Sequence, residues 1–195
     1  MKVKKLGLLG VPVLALAAVL PLSATAGGAQ HVRWDIISLV GGGPPGPVNP
    51  GGVSSATAPD GDTITLTGSG TFVAPQGSNG GSGAVTGGGT WQTATASGTY
   101  EVKELVSWVF ANFFSATPVF VDNIGDLNAR ANGTAVLRIQ FSDGESGVLT
   151  VGCHGPGAPP GIFEGIATTK GYKTYYAVPA PVGGVDANRT IFHIQ

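Results

Sequence analysis

The stretch Ala135–Cys153, AVLRIQF SDGESG VLTVGC, decides the fold. Side chains alternate along a β-strand, so Leu137, Ile139 and Phe141 share one face of its first run, and Leu149, Val151 and Cys153 share one face of its second. The six residues between them carry Asp143-Gly144, a strong hairpin signal. Two alternating runs joined by such a turn predict an antiparallel pair with one buried face.

The same grammar recurs outward in both directions: short runs rich in Thr, Val, Ile, Tyr, Phe and Trp, bounded by Gly, Pro, Asn and Asp. Ile162–Thr169 and Tyr172–Val178 read as a second hairpin turning at Lys170-Gly171, and Thr190–Gln195 closes the chain as a strand. Upstream, residues 31–40 put Val32, Trp34 and Ile36 on one face. Asp62–Val73 reads as a strand with a glycine bend at Gly68–Gly70, and Ala84–Thr95 as another with three consecutive glycines before Trp91. Gly98–Phe110 follows through a tight turn near Ala96-Ser97. Strict alternation places Tyr100, Val102, Glu104, Val106 and Trp108 on one of its faces, yet neither face is cleanly apolar. Val102–Phe114 also reads as a short helix, since short apolar runs are ambiguous by periodicity.

About eight strands at this spacing predict an all-β domain, a single antiparallel β-barrel, with a β-sandwich as the alternative. Glycines inside strands suit a strongly coiled sheet that bends at barrel corners. A strand at each end of the domain invites closure, with residues 31–40 beside residues 190–195. The Gly/Pro-rich segment 41–58 is expected to be an exposed loop.

The chain begins with the basic Met1-Lys2-Val3-Lys4-Lys5, an apolar run from Leu6 to Leu22 broken by Pro12 and Pro21, and then Ala24-Thr25-Ala26. That order is the three-part pattern of a signal peptide, so residues 1–26 are expected to be cleaved and residues 27–195 to act outside the cytoplasm as one secreted domain. Lys2, Lys4 and Lys5 leave with the leader. Of the 10 Lys+Arg, 7 then remain against all 11 Asp+Glu, a formal charge of −4. A net acidic chain without a basic stripe argues against nucleic acid as a partner, and against electrostatic membrane binding once the leader is gone. The single cysteine excludes an internal disulfide, so packing and sheet hydrogen bonds must hold the domain. The charge and composition leave the oligomeric state open.

The candidate chemistry is sparse. Cys153-His154 is a thiol beside an imidazole, but strand neighbours point to opposite faces, and Cys153 shares the face of Leu149 and Val151. It therefore reads as a small buried hydrophobe. Glu164 stands among apolar neighbours (Ile162, Phe163, Gly165, Ile166), where a carboxyl tends to hold its proton. With His154 and His193 it makes up the candidate catalytic set. No metal-ligand spacing, phosphate loop or dinucleotide fingerprint is present, so neither a metal nor a cofactor is expected. Trp91, Trp108 and Tyr172 are the candidate ligand-binding residues, because aromatic rings in a β-domain either fill the core or form a platform for a small molecule or a glycan. In Tyr175-Tyr176 at least one ring must face outward. Asn132-Gly133-Thr134 and Asn188-Arg189-Thr190 match the glycosylation pattern.

The leading expectation is a secreted, non-catalytic β-domain that binds a ligand or serves as an extracellular structural module. The alternative is a small barrel enzyme, an isomerase, cyclase or hydrolase on a small apolar substrate, with Glu164 or His154 as acid or base. The enzyme reading requires at least two of His154, Glu164, Tyr172 and His193 to face one water-excluding cavity.

Overall fold

The computed structural model describes residues 29–40, 47–74, 81–115 and 121–195; the expected leader, residues 1–26, lies outside them. The hairpin read from the sequence is its longest regular unit but one. Strand β8 (Arg130–Phe141) pairs with β9 (Ser146–Cys153) from Gly133↔Cys153 to Gln140↔Ser146. The turn is closed by Gly144 N–H donating to Phe141 O (3.1 Å) and Phe141 N–H donating to Glu145 O (2.8 Å). Leu137, Ile139, Phe141, Leu149, Val151 and Cys153 are all buried, as the alternation predicts.

The other strands, in chain order, are β1 (Gln30–Ser38), β2 (Asn49–Pro50), β3 (Ser54–Thr57), β4 (Thr63–Leu66), β5 (Ser69–Ala74), β6 (Val85–Gln92), β7 (Ser97–Phe113), β10 (Gly165–Lys170), β11 (Lys173–Tyr175) and β12 (Arg189–Ile194). Neighbouring strands pair antiparallel, and six of them close a ring in the order β8–β12–β1–β5–β6–β7 and back to β8. The domain is thus an all-β barrel, and the sandwich alternative falls because the sheet has no break at β7. The terminal strands do lie side by side: β1 pairs β12 from Val32↔Ile194 to Ile37↔Arg189.

Several elements differ from the sequence expectation. The strand expected at Asp62–Val73 is split at Thr67-Gly68 into β4 and β5, which lie along the two ends of β6. Within the expected loop 41–58, Ser54–Thr57 is a strand whose Ser54 and Ala56 are buried. Small side chains there let the segment pack into the sheet where Gly and Pro signalled only irregularity. The ambiguous 102–114 region is strand throughout. Its mixed faces have a physical cause: register shifts fall between Val102 and Glu104, Leu105 and Ser107, and Phe110 and Asn112. Each bulge inserts one unpaired residue and flips the phase. The inward residues are therefore Tyr100, Val102, Leu105 and Trp108 rather than every second one.

The barrel interior is filled. Trp108 packs against Phe72 (ring centroids 5.4 Å) and Phe192 (4.6 Å), and Trp91 and Tyr100 meet Phe141. Gly70 and Gly87 face each other across β5 and β6, and a Cβ on Gly70 would come within 2.8 Å of Trp34 Nε1. The glycines thus let two backbones close around a tryptophan. A second, smaller apolar cluster (Ile37, Leu39, Val48, Ala187, Ile191) lies on the outer side of β1 and β12.

Beyond the ring the sheet runs β8–β9–β10–β11 in one direction and β6–β4–β3 in the other. These arms meet again: Thr57 N–H donates to Ala177 O (2.9 Å) and Ala177 N–H to Thr57 O (3.1 Å). The second meeting brings the β3–β4, β6–β7, β8–β9 and β10–β11 turns to one end of the molecule.

Candidate ligand-binding site

At that end lies a groove of about 190 Å³. Its lining comes from all four turns: Asp62 from β3–β4, Thr93, Thr95 and Ala96 from β6–β7, Glu145 from β8–β9, and Tyr172 from β10–β11. Trp91, Lys170, Lys173 and Tyr175 complete the walls from the adjoining strands. A wider depression of about 670 Å³ adjoins it and shares Asp62 and Thr93, so the two are continuous. The far part is polar and small-residue in character, with Ser55, Thr63, Thr65, Gln92 and Asp186.

The groove is rigidly framed. The β10–β11 hairpin pairs Lys170 with Lys173, leaving only Gly171 and Tyr172 in the turn. Gly171 has φ +57°, a conformation that glycine adopts without steric cost. Tyr172 is 99% exposed, so its ring projects fully from the tip. Lys170 is pinned from three sides. Its ammonium lies 4.4 Å from the Trp91 ring centroid and 5.2 Å from that of Phe141, and it pairs with Asp143 and Glu145. Burial alone would lower its pKa, but those two carboxylates hold it raised.

Opposite, Lys173 bridges Asp60 (2.9 Å) and Asp62 (3.0 Å), and Tyr175 Oη donates to Asp62 Oδ2 (3.1 Å). Burial, and then the bond to Asp62, push the Tyr175 phenol up to about 12, so it remains a donor. The hydrogen bonds from Lys173, joined by that of Tyr175, keep Asp62 below the usual carboxylate range against the desolvation that opposes them. The groove therefore presents an exposed aromatic ring, fixed charges of both signs and a row of hydroxyls.

Of the three aromatic residues singled out in the sequence, Tyr172 alone brings an exposed ring to this groove; Trp91 borders it but is 2% exposed, with the Lys170 ammonium over its ring. Trp108 lies elsewhere: it is 4% exposed inside the barrel, where its Nε1–H donates to Gln30 Oε1 (3.1 Å), and it has no surface through which to touch a ligand. Tyr175 is buried and Tyr176 exposed, as alternation requires. Alternation past the Lys170-Gly171 turn also places Lys173 and Tyr175 on one face. Asp62 and Glu145 gave no local signal, because their turns reach the site only through the tertiary fold.

The three candidate catalytic residues do not form one site. His154 and Glu164 are neighbours, but the contact is to backbone: His154 N–H donates to Glu164 Oε2 (2.7 Å) and Thr190 N–H to Oε1 (2.8 Å). The His154 ring lies 2.7 Å from Ile162 O through Nδ1, and no hydrogen bond joins it to the Glu164 carboxyl among the described residues. Burial pushes the Glu164 carboxyl up to about 7, with those two N–H donors opposing. Its geometry is that of a staple tying the start of β10 to β9 and β12. His193 sits elsewhere, enclosed on the outer face of β12, with Nε2 3.0 Å from Asp122 Oδ2 and Nδ1 without a partner among the described residues. No nucleophile stands within hydrogen-bond reach of that nitrogen. Tyr172 is at the hairpin tips.

Cys153 is 1% exposed, and burial, its largest influence, drives its thiol well above the ordinary value, which leaves it unreactive. Neither glycosylation asparagine presents its amide. Asn132 is fully enclosed, bonded to Asn112 and Gly155; Asn188 is 8% exposed and accepts from Ser55 N–H (2.8 Å). Among the described residues no group of three His, Cys, Asp or Glu gathers as a metal would require.

No family model, curated protein or solved structure matches this chain.

Proposed function

We propose that the protein is a secreted, non-catalytic β-barrel module that binds an extended polar ligand, a neutral glycan, in the groove at the hairpin tips. The observation that carries this reading is Tyr172: a tyrosine ring 99% exposed, on a two-residue turn, at the lip of a groove that also contains Trp91 and Tyr175. An aromatic ring left wholly in water gains most by covering the apolar face of a ligand. The hydroxyl and amide groups along the continuous depression (Ser55, Thr63, Thr65, Gln92, Thr93) are suited to hydrogen-bonding successive sugar hydroxyls. Around the groove two lysines stand among four carboxylates (Asp60, Asp62, Asp143 and Glu145), a net acidic setting that favours an uncharged polymer over an anionic one.

The filled barrel supports the non-catalytic half of the reading. A barrel enzyme needs a chamber that excludes water around its acid and base. Here the interior is occupied by side chains, and the polar candidates are spread over three places. Affinity electrophoresis through gels containing soluble neutral polysaccharides (a β-glucan, a xylan, a mannan) tests the proposal. At least one gel should retard the protein, and Tyr172→Ala should abolish the retardation. Free migration through all of them, or equal retardation of the variant, overturns it.

A further inference from the structure

The polar depression beside the groove is floored by the outer face of the sheet, through Ser55 of β3, Thr63 and Thr65 of β4 and Gln92 of β6. That face does not end with the depression. The antiparallel register carries it on through Thr67 beside Thr90, Ser69 beside Gly88, and Thr71 beside Thr86. From Thr65 to Thr71 the strip adds at most about 20 Å of strand.

Resting on the glycan reading of the groove, we propose that the binding site runs on along this strip, so that its ligand is a long linear neutral polysaccharide and not a short oligosaccharide. Charge carries the inference. β4, β5 and β6 contain no charged residue, although Ser69, Thr71, Thr86, Thr90 and Gln92 are all exposed. Charged side chains stand on both flanks, paired off with each other: Arg33 and Asp35 on β1, beside Thr71 and Ser69, and Glu101 and Lys103 on β7, the first beside Gly88. Between them the strip offers hydroxyls, methyl groups and one amide. Its complement is a surface of hydroxyl and C–H groups without charge, as a neutral sugar chain presents. The hydroxyls are also set in place. Thr67 Oγ1 and Thr90 Oγ1 lie 2.7 Å apart, Thr71 Oγ1 and Thr86 Oγ1 2.8 Å apart, and Thr90 N–H donates to Thr67 Oγ1 (3.0 Å). Each pair shares one hydrogen and keeps a second O–H for a ligand. Stiff, β-branched side chains held this way lose little freedom on binding. Between the two pairs Gly88 keeps the floor low, so a chain can lie close to the sheet.

Cross-strand threonine pairs also steady a sheet, so the test reads ligand length, which a structural role would not move. Tetrasaccharides and octasaccharides of β-glucan, xylan and mannan are titrated calorimetrically against the protein. For one of the three, the octasaccharide should bind at least about 30-fold more tightly than the tetrasaccharide, beyond the about fivefold that five overlapping frames give by counting alone. Thr71→Lys and Thr86→Lys each place a long cation at the far end of the strip. Both should remove the excess, leave the tetrasaccharide affinity unchanged and keep the urea midpoint of the parent. Tyr172→Ala should weaken both lengths alike. An octasaccharide no tighter than its frame count, or an excess that survives both lysine variants, overturns the extension and leaves the groove reading standing. Binding of neither length, or binding indifferent to Tyr172→Ala, overturns both.

Discussion

Tyr175 donates its phenolic hydrogen to Asp62 at 3.1 Å, across 113 residues of chain. The bond joins the two arms of the sheet that leave the barrel in opposite directions, and it sets one wall of the groove. With Lys173 on the same carboxylate, it explains why four turns distant in sequence hold a common shape.

Tyr172 is expected to matter for binding and not for stability. It is fully exposed, and its turn conformation is set by Gly171. Tyr172→Ala should weaken glycan binding at least tenfold, about 1.4 kcal/mol, while the urea midpoint stays within error. Isothermal titration and urea unfolding on the same preparation separate the two effects.

Lys170 should behave in the opposite sense. Its side chain is 10% exposed, stacked on Trp91 and Phe141 and paired with two carboxylates. Lys170→Met removes the charge but keeps most of the stem, and should cost about 1–2 kcal/mol of folding stability. High salt should shrink the difference between variant and parent, because Asp143 and Glu145 are partly exposed.

Trp108→Ala should cost about 3–5 kcal/mol, since it opens a cavity between Phe72 and Phe192. If the variant folds, its glycan affinity should equal that of the parent, because the barrel core is not the site. A selective loss of affinity at unchanged stability would place the ligand inside the barrel instead.

Glu164 predicts a pH dependence of stability. Its carboxyl is raised from 4.5 to about 7 in the folded protein, so the folded state holds the proton more tightly than the unfolded chain. Between those values unfolding releases a proton, and stability falls as pH rises, by up to about 3 kcal/mol. Below pH 4.5 and above pH 7 this contribution is flat. Glu164→Gln turns an amide N–H₂ toward one of two N–H donors and should cost about 1–3 kcal/mol. The variant should also lose this part of the slope. Urea unfolding of both proteins at pH 5, 6, 7 and 8 gives the slope by difference, so the histidines common to both cancel.

The local parts of the fold were legible because they depend on neighbours in sequence. The β8–β9 hairpin needs only alternation and Asp143-Gly144, and the β10–β11 hairpin only Lys170-Gly171. β7 was legible in extent but not in facing. Bulges at its three register shifts turn Leu105 inward where strict alternation points Glu104 and Val106 there. A bulge is a property of pairing with β8, and a single strand carries no trace of it. The site divided in the same way. Tyr172 could be picked out as a candidate from its aromatic ring, though the sequence put it at the start of a strand and the Lys170↔Lys173 pairing puts it in the turn; Asp62 became a partner of Lys173 and Tyr175 only when β3 met the segment after β11.

By itself, then, the sequence determined the class of structure, the principal hairpins and the burial of most of the core, because side-chain alternation and turn chemistry act over a few residues. The tertiary structure alone decided that the sheet closes, that its interior is filled, and that Glu164, His154 and His193 do not share a site. Those outcomes depend on contacts between residues up to a hundred or more positions apart, set by strand order and register, which no local pattern encodes.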